Sequence, residues 1–500
     1  MPSWSESLAP RIEATALRLL RPAVGLMAIA AVLTYLVVGM VHLRYPFELE
    51  WIEGGMVDEV ERLVHGGKLY VKPSLDYVPF IYAPLWFHVA ALSSKVFGAG
   101  FFSARLVSYL SSIGALALIF RFVHKETGAV VPALAAAGVF AATYPVAASF
   151  YDLARVDSLF IVLLLGGLYL ARFHASTGAT VTSAALFALA FLTKQSGPAV
   201  FVPVALHLLL ADRRRGFVFA AVGGALMLGS VLVYDRLSDG WFWHYVFALP
   251  AKHERVKRVL WDFWFDDLML RFGVPTLFSL FYLVVEKGGE AKRFYFLATT
   301  GMLVTALAGR VHLGGWSNVL APAFAILAVL FGIGLARALA MTAKVPAEGG
   351  DGGRPLAIFA LAAAGIQLAA MSYNPRASFP TEENRQAWRG LLSTVEDTDG
   401  DVFVWAHGFV SARAGKQPHA HQMAMSDELR SGSDAGNELR REIRRSLMSK
   451  RWAAMVMDND WLPRDQREAG YEKKADVPRA GLAQVIGYKT QPTLVYGAKP

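Results

Sequence analysis

Residues 22–43 read PAVGLMAIAAVLTYLVVGMVHL, a run of 22 residues without Asp, Glu, Lys or Arg. A stretch of about 20 apolar residues has the length needed to cross a bilayer as a helix. Helix is the form expected, because lipid offers no partner for an open backbone N–H or C=O. Ten further apolar runs follow, at roughly 104–123, 128–148, 157–172, 177–193, 196–211, 216–234, 271–286, 293–309, 318–339 and 355–373. About eleven spans are therefore expected, several at the short end of the transmembrane range. Hydrophobic residues make up 55% of the 500-residue chain and charged residues 18%. That balance excludes a disordered chain, a coiled coil and an ordinary soluble enzyme. With no cysteine, disulfides, thiolate metal sites and a Cys nucleophile are excluded too.

Arg11, Arg18 and Arg21 precede the first run, and no small-residue cleavage site follows it. The run is too long for a signal-peptide core, so it reads as an uncleaved span with a cytoplasmic N-terminus. Residues 79–98 (PFIYAPLWFHVAALSSKVFG) are apolar enough for a twelfth span. Left out of the count, they allow Arg121/Lys125, Arg172, Arg213–Arg215, Lys287/Lys292/Arg293 and Arg337/Lys344/Arg354 all to face the cytoplasm. Counting them would turn every one of these groups outward, against the positive-inside rule. The segment is therefore read as re-entrant or interfacial, which suits Pro79, Pro84 and His88.

In this topology the net charge of +9 is mostly an orientation signal rather than a sign of nucleic-acid binding. The external loops run from about 44 to 103 and from about 235 to 270, and a Gly-rich cytoplasmic linker occupies Ala343–Arg354. Charge is dense at the end of the chain: residues 374–500 hold 19 basic and 17 acidic residues. The expectation is thus an all-α polytopic membrane domain (1–373) and a small, soluble α/β domain (374–500) outside the cytoplasm. In the latter, Asp401–Trp405 and Trp452–Met457 read as buried strands and Ser433–Lys450 as a charged helix. The plasma (inner) membrane is the expected location.

The first external loop is the most informative segment. Glu48, Glu50 and Glu53 crowd the outer end of the first span, in ELEWIEGGM. A helix is expected from about Met56 to His65, with Met56, Val60, Leu63 and Val64 on one face, resting on the membrane surface. Gly66-Gly67-Lys68-Leu69-Tyr70 follows, then Pro73, Tyr77, Pro79, Tyr82, Pro84 and Trp86. The acids are either a solvated loop or a general base, metal ligand or substrate ligand held just outside the bilayer.

An acid right after the first span, a surface helix, GG-x-LY and a Pro/Tyr segment resemble the GT-C glycosyltransferases, above all the protein-mannosyltransferase and aminoarabinose-transferase branch. The resemblance implies an enzyme of the cell envelope that takes a sugar from a polyprenyl-phosphate donor in the lipid bilayer. It further implies that an acid of the first loop is the catalytic base. The matching stretch is Trp51-Ile52-Glu53-Gly54, with Ile52 where the family often has Asp. Glu53 is the first choice of base and Glu50 the second.

Three later motifs fall on the same face. Asp157, in Ala154-Arg155-Val156-Asp157-Ser158, is either a helix N-cap or, as the resemblance implies, an active-site acid. Arg155 either binds phosphate or pairs with an acid such as Asp152. Lys194, in Leu192-Thr193-Lys194-Gln195, either snorkels or, by resemblance, lies near the carrier phosphate. The turn Gly309-Arg310-Val311-His312-Leu313-Gly314-Gly315-Trp316-Ser317-Asn318 offers a cation for a phosphate. His312, Asn318 and Tyr82 are the candidate substrate contacts. In the second loop, Trp241–Tyr245, Lys252–Arg258 and Trp261–Phe265 suit anionic headgroups or polyprenyl phosphate, or a plain interfacial helix.

The expected chemistry is an inverting displacement at the anomeric carbon. The acceptor (glycan, lipid or protein) is open, and so is a divalent metal; His419-Ala-His421 alone is a weak metal signal. With no Walker A, G-x-G-x-x-G or G-x-S-x-G motif in sequence, ATP-driven transport and serine hydrolysis are not supported. The rival readings are a secondary transporter or lipid flippase, and a silent scaffold that binds a cell-wall polymer.

Overall fold

The computed structural model describes residues 4–343, 354–458, 468–477, 481–487 and 490–498; residues 344–353 of the Gly-rich linker lie outside this set. Each of the eleven apolar runs contains a helix, though in the run 128–148 it covers only Val130–Ala142. In chain order the helices are α1 (Trp4–Leu43), then α2 (Glu53–Val64) and α3 (Leu85–Phe97) in the first loop, α4 (Phe101–Thr127), α5 (Val130–Ala142), α6 (Asp157–Phe173), α7 (Thr177–Thr193), α8 (Pro198–Ala211) and α9 (Arg213–Leu237). Arg271–Val285, Glu290–Val311, Ala321–Ala343 and Arg354–Ala370 complete the apolar set.

Among the described residues, six segments are long and apolar enough to cross a membrane on their own: 11–43, 101–127, 213–237, 259–285, 290–311 and 317–341. A seventh is the bent pair 354–370 and 375–397, while α3, α5, α7 and α8 are shorter apolar helices. Helix α5 buries ten of its thirteen residues and is an interior element. Helix α3, also thirteen residues, rises about 20 Å, short of a hydrocarbon core of about 30 Å. Its Leu92, Val96 and Phe97 are exposed.

The second loop is shorter than the sequence suggests. Helical structure resumes at Val259 and runs with π-type turns into Arg271–Val285. The charges Asp262, Asp266 and Asp267 hid this start from a hydropathy reading. Exposed Trp261, Trp264 and Phe265 sit on the new segment.

Segment 317–341 is buried almost all round, which explains why it is apolar all round. Small residues let neighbours approach it and each other closely. A Cβ on Gly332 would press on Val123 and Ala136, and one on Gly138 would strike the backbone of Ala28 in α1.

Near the C-terminus, β1 (Val402–Val404), β2 (Ala454–Met457), β3 (Tyr471–Asp476) and β4 (Leu494–Ala498) form one sheet in the order β1-β2-β4-β3. β1 and β2 are parallel; β4 runs antiparallel to both β2 and β3. Helix Asp434–Met448 begins with Ser433 as N-cap, its hydroxyl accepting from Gly436 N–H.

The apolar residues collect into two clusters. One is the helix bundle. The other joins first-loop residues such as Tyr45, Met56, Val60 and Trp86 to Trp388, Trp405, Phe409 and Ile486 of the C-terminal region. Helix α2 thus turns part of the apolar face that its periodicity marked into protein. Met56 and Val60 are buried in protein, under α3 and the C-terminal region.

What fixes the first loop is Arg105 of α4. Its Nε and Nη2 donate to Glu53 Oε1 and Oε2 at 2.9 and 2.7 Å. Its Nη1 donates to the carbonyls of His42 and Tyr45, and its Nη2 also to that of Phe47, at 2.6–2.9 Å. Both side chains are fully buried. Glu53 accepts two further N–H bonds, from Leu49 at 2.7 Å and Ala154 at 2.8 Å. One ion pair thus ties together the end of α1, the loop, the start of α2, α4 and the chain before α6.

Breaking a buried pair from one side costs about 3–5 kcal/mol, because the remaining charge loses its partner. Arg105→Met should lower the thermal unfolding midpoint of the detergent-solubilised protein accordingly. A midpoint equal to that of the unaltered chain would contradict this role.

Candidate functional site

Glu50 lies three residues before Glu53 and on a different partner. Its Oε2 accepts from Arg155 Nη1 and from Ile52 N–H, both at 3.2 Å. Burial pushes its pKa up against the pull of Arg155, with Glu53 adding to the rise, to about 8. Glu50 thus changes protonation state slightly above neutral pH and becomes able to accept a proton as it ionises. Glu53, by contrast, accepts four hydrogen bonds from Arg105 and the backbone, which leaves little capacity for a substrate proton.

Arg155 joins Glu50 to the aromatic wall. Its Nη2 donates to Tyr82 Oη at 2.7 Å, and its guanidinium lies over the rings of Tyr82 and Phe150. The Arg155 carbonyl is held from α4, accepting from Ser108 Oγ at 2.9 Å. The acid that the sequence offered to Arg155, Asp152, pairs instead with His42 Nδ1 at 2.5 Å. The chain before α6 turns sharply to do this: Ala148 and Ser149 adopt φ of 56° and 63°, a region that strains residues with a Cβ.

Tyr82 is held through its own backbone neighbours. Phe80 N–H donates to Glu59 at 2.6 Å, Gln195 Nε2 donates to the Ile81 carbonyl at 3.2 Å, and Tyr70 Oη donates to the Tyr82 carbonyl at 2.7 Å. Glu59 is a buried acid of α2 that the sequence reading passed over. Its value was hidden because its partner lies on a different turn of the loop.

Asp157 is the first residue of α6, yet its side chain does not cap that helix. Its Oδ1 accepts from Lys194 Nζ at 2.9 Å and Asn318 Nδ2 at 3.0 Å. Its Oδ2 is buried without a hydrogen-bond partner, as is Gln195 Oε1. Unpaired buried acceptors are costly, and each of these oxygens can accept a hydrogen bond. Lys194 stands at the C-cap of α7 and is mostly buried; it bonds inward to Asp157 rather than snorkelling away. Six expected site residues therefore fall into one chain, two sets of contacts linked through Val156: Glu50–Arg155–Tyr82 and Lys194–Asp157–Asn318.

Arg310 and His312 stand apart from those contacts. Arg310 donates through Nε to Asp267 at 2.8 Å and through Nη1 to the Gly315 carbonyl at 2.9 Å. Asp267 is a partner that sequence reasoning missed; it sits in the stretch read as loop. His312 belongs to a short backbone bridge with Arg255, and its ring faces His253. The expected His419–His421 pair is divided between separate tasks. His419 Nε2 accepts from Val404 N–H at 2.9 Å, whereas His421 Nε2 meets the Trp51 carbonyl at 3.0 Å. Among the described residues, no group of three or more His, Asp or Glu is arranged to hold a metal ion.

Residues 81–234, which contain Tyr82, Arg105, Arg155, Asp157 and Lys194, match the family described as dolichyl-phosphate-mannose-protein mannosyltransferase. No curated protein is a significant sequence match. Among solved structures, the chain is similar to ArnT from Cupriavidus metallidurans in the apo state, at 14% identity and a TM-score of 0.61, covering 95% of this chain and 98% of that one. The same enzyme bound to undecaprenyl phosphate matches at 15% identity and a TM-score of 0.60 over the same shares. The fold of this chain is thus the GT-C fold of ArnT: an apolar helical bundle carrying a small four-stranded sheet near its C-terminus.

Proposed function

We propose that the chain is a membrane glycosyltransferase that moves a sugar from a polyprenyl-phosphate donor to an acceptor on the extracytoplasmic face. The observation that carries this is the contact chain of Glu50, Arg155, Tyr82, Asp157, Lys194 and Asn318 at the ends of apolar helices. Support comes from the fold shared with ArnT and from undecaprenyl phosphate in one of its structures. The excess of Lys and Arg in the opposite loops supports the orientation, with the N-terminus in the cytoplasm and the site outside.

In this reading the donor lies with its tail in lipid and its phosphate against Lys194. Lys194 is a compact cation whose ammonium has three N–H donors, of which one goes to Asp157. Arg310, fixed by Asp267, adds a second cation on the donor side, and His312 lines the same turn. The acceptor O–H or N–H approaches Glu50. As the acceptor atom bonds to the anomeric carbon, the bond from that carbon to the phosphate oxygen breaks. The proton passes to Glu50, and the electron pair leaves on the phosphate. Backside attack inverts the anomeric centre. Asp157 and Asn318 orient a sugar hydroxyl, and Tyr82 with Arg155 shapes the pocket. Charge neutralisation at the leaving phosphate is a large term in a site shielded from water. Glu53 is assigned a positioning role through Arg105, and Glu50 the role of base.

The test is transfer from a panel of radiolabelled undecaprenyl-phosphate-linked hexoses and pentoses in membranes that contain the chain. Removing a general base costs about 10²–10⁴-fold, so Glu50→Gln should lose that much kcat while folding normally. Full activity in Glu50→Gln, or solute counterflow without transfer, would overturn the assignment. The pH profile gives a second check. A base with its pKa raised to about 8 is protonated at lower pH, so kcat/KM should rise with pH and level off above about 8. A flat profile from pH 6 to 9 would contradict Glu50 as base.

A further inference from the structure

The first-loop acid nearest to the C-terminal region is Glu48, and the proposed mechanism gives it no task. It is fully buried. Its Oε1 meets His407 Nδ1 in an ion pair and accepts from Gln484 Nε2 at 2.9 Å. On its other side, His407 Nε2 meets Asp458 Oδ2 at 3.0 Å. Burial pulls the imidazole pKa down, but Glu48 and Asp458 overcome it and hold it up at about 10. His407 is therefore an imidazolium clamped between two carboxylates, one from the first loop and one from the C-terminal region.

The clamp continues along the loop toward Glu50. Ile486 N–H donates to the Leu49 carbonyl at 3.1 Å. A Cβ added at Gly487 would collide with Cγ of Glu50, and Gly487 has a φ of 68°. Backbone of the C-terminal region thus lies directly on the Glu50 side chain, at a position where only glycine fits without strain. Three consecutive loop residues are each held from the C-terminal region: Glu48 by His407 and Gln484, Leu49 by Ile486, Glu50 by Gly487. Such multi-point restraint exceeds what a tethered accessory domain needs. The buried polar part of it is also costly unless it fixes a geometry.

We propose that His407 is a positioning residue for the transfer reaction: through Glu48 it locks the loop so that Glu50 points into the site, and the C-terminal region thereby forms part of the catalytic unit. This rests on Glu50 as base. A small displacement of a reacting group suffices for a large effect on rate, about 10²-fold for 1 Å. The lock concerns the orientation of the base and not the donor phosphate, so its loss should appear in kcat and leave donor KM unchanged.

The experiment uses the full chain in membranes with whichever undecaprenyl-phosphate sugar the unaltered chain transfers. His407→Ala should lower kcat by about 10²-fold with donor KM within about twofold, and added imidazole should restore part of the lost rate by refilling the cavity. Should His407→Ala fail to fold, Gln484→Ala, which removes one uncharged bond to Glu48, takes its place and should show the same split at smaller size. Unchanged kcat in a folded variant would overturn the proposal, and so would a fall in kcat with an equal rise in KM and no response to imidazole. If Glu50→Gln is inactive while His407→Ala is fully active, only the positioning role fails. If Glu50→Gln is itself active, the underlying reading of the site fails first.

Discussion

Arg105 is a guanidinium wholly shielded from solvent, and the structure around the first loop is arranged to make that tolerable. A buried cation must have an opposite charge and a full set of acceptors. Here these are the two oxygens of Glu53 and the carbonyls of His42, Tyr45 and Phe47. Meeting this demand dictates where α1 ends, how the chain turns into the first loop and where α2 begins. The Ala154 N–H on Glu53 extends the constraint to the chain that delivers Arg155 and Asp157. The site is built outward from this pair.

Three buried acids follow each other at short spacing in that loop, and their partners separate their roles. Glu53 faces Arg105 and is fully compensated. Glu48 faces His407, itself shared with Asp458. Glu50 faces only Arg155, at the longer distance of 3.2 Å, and Arg155 is shared with Tyr82. Burial holds the pKa of Glu50 up at about 8 against the pull of Arg155, and in the proposed reaction it is this acid that moves a proton.

Much of the fold was legible because its signals are local. Apolar runs mark helices whatever their neighbours: each of the eleven runs contains one, although six or seven of the described segments, not eleven, are long and apolar enough to cross a membrane. Two strands and the helix after Ser433 were also visible from their patterns. The edge strand β3 (YEKKAD) was not, since four of its six residues are charged and its pairing with β4 is non-local. The start of the helix at Val259 was masked by Asp262, Asp266 and Asp267. In the site, residue types at the helix ends were legible: Glu50, Arg155 and Tyr82 meet, and so do Asp157, Lys194 and Asn318. The ranking of the acids was not. Glu53 matched a motif, but its role depends on Arg105, 52 residues away, and a single Arg near the end of an apolar run was the only hint of that. The partners Asp267 and His407 were equally beyond reach, because spacing along the chain carries no information about contacts between distant segments.

In the proposed reaction Glu50, rather than Glu53, faces the sugar while Lys194 faces the phosphate. The most direct test is a structure of the chain with an undecaprenyl-phosphate sugar bound. Phosphate oxygens should lie within hydrogen-bond distance of Lys194 Nζ, with the anomeric carbon on the Glu50 side and the Arg105–Glu53 pair unchanged. A phosphate bound away from Lys194, or a sugar seated against Glu53 with its bond to Arg105 broken, would contradict it.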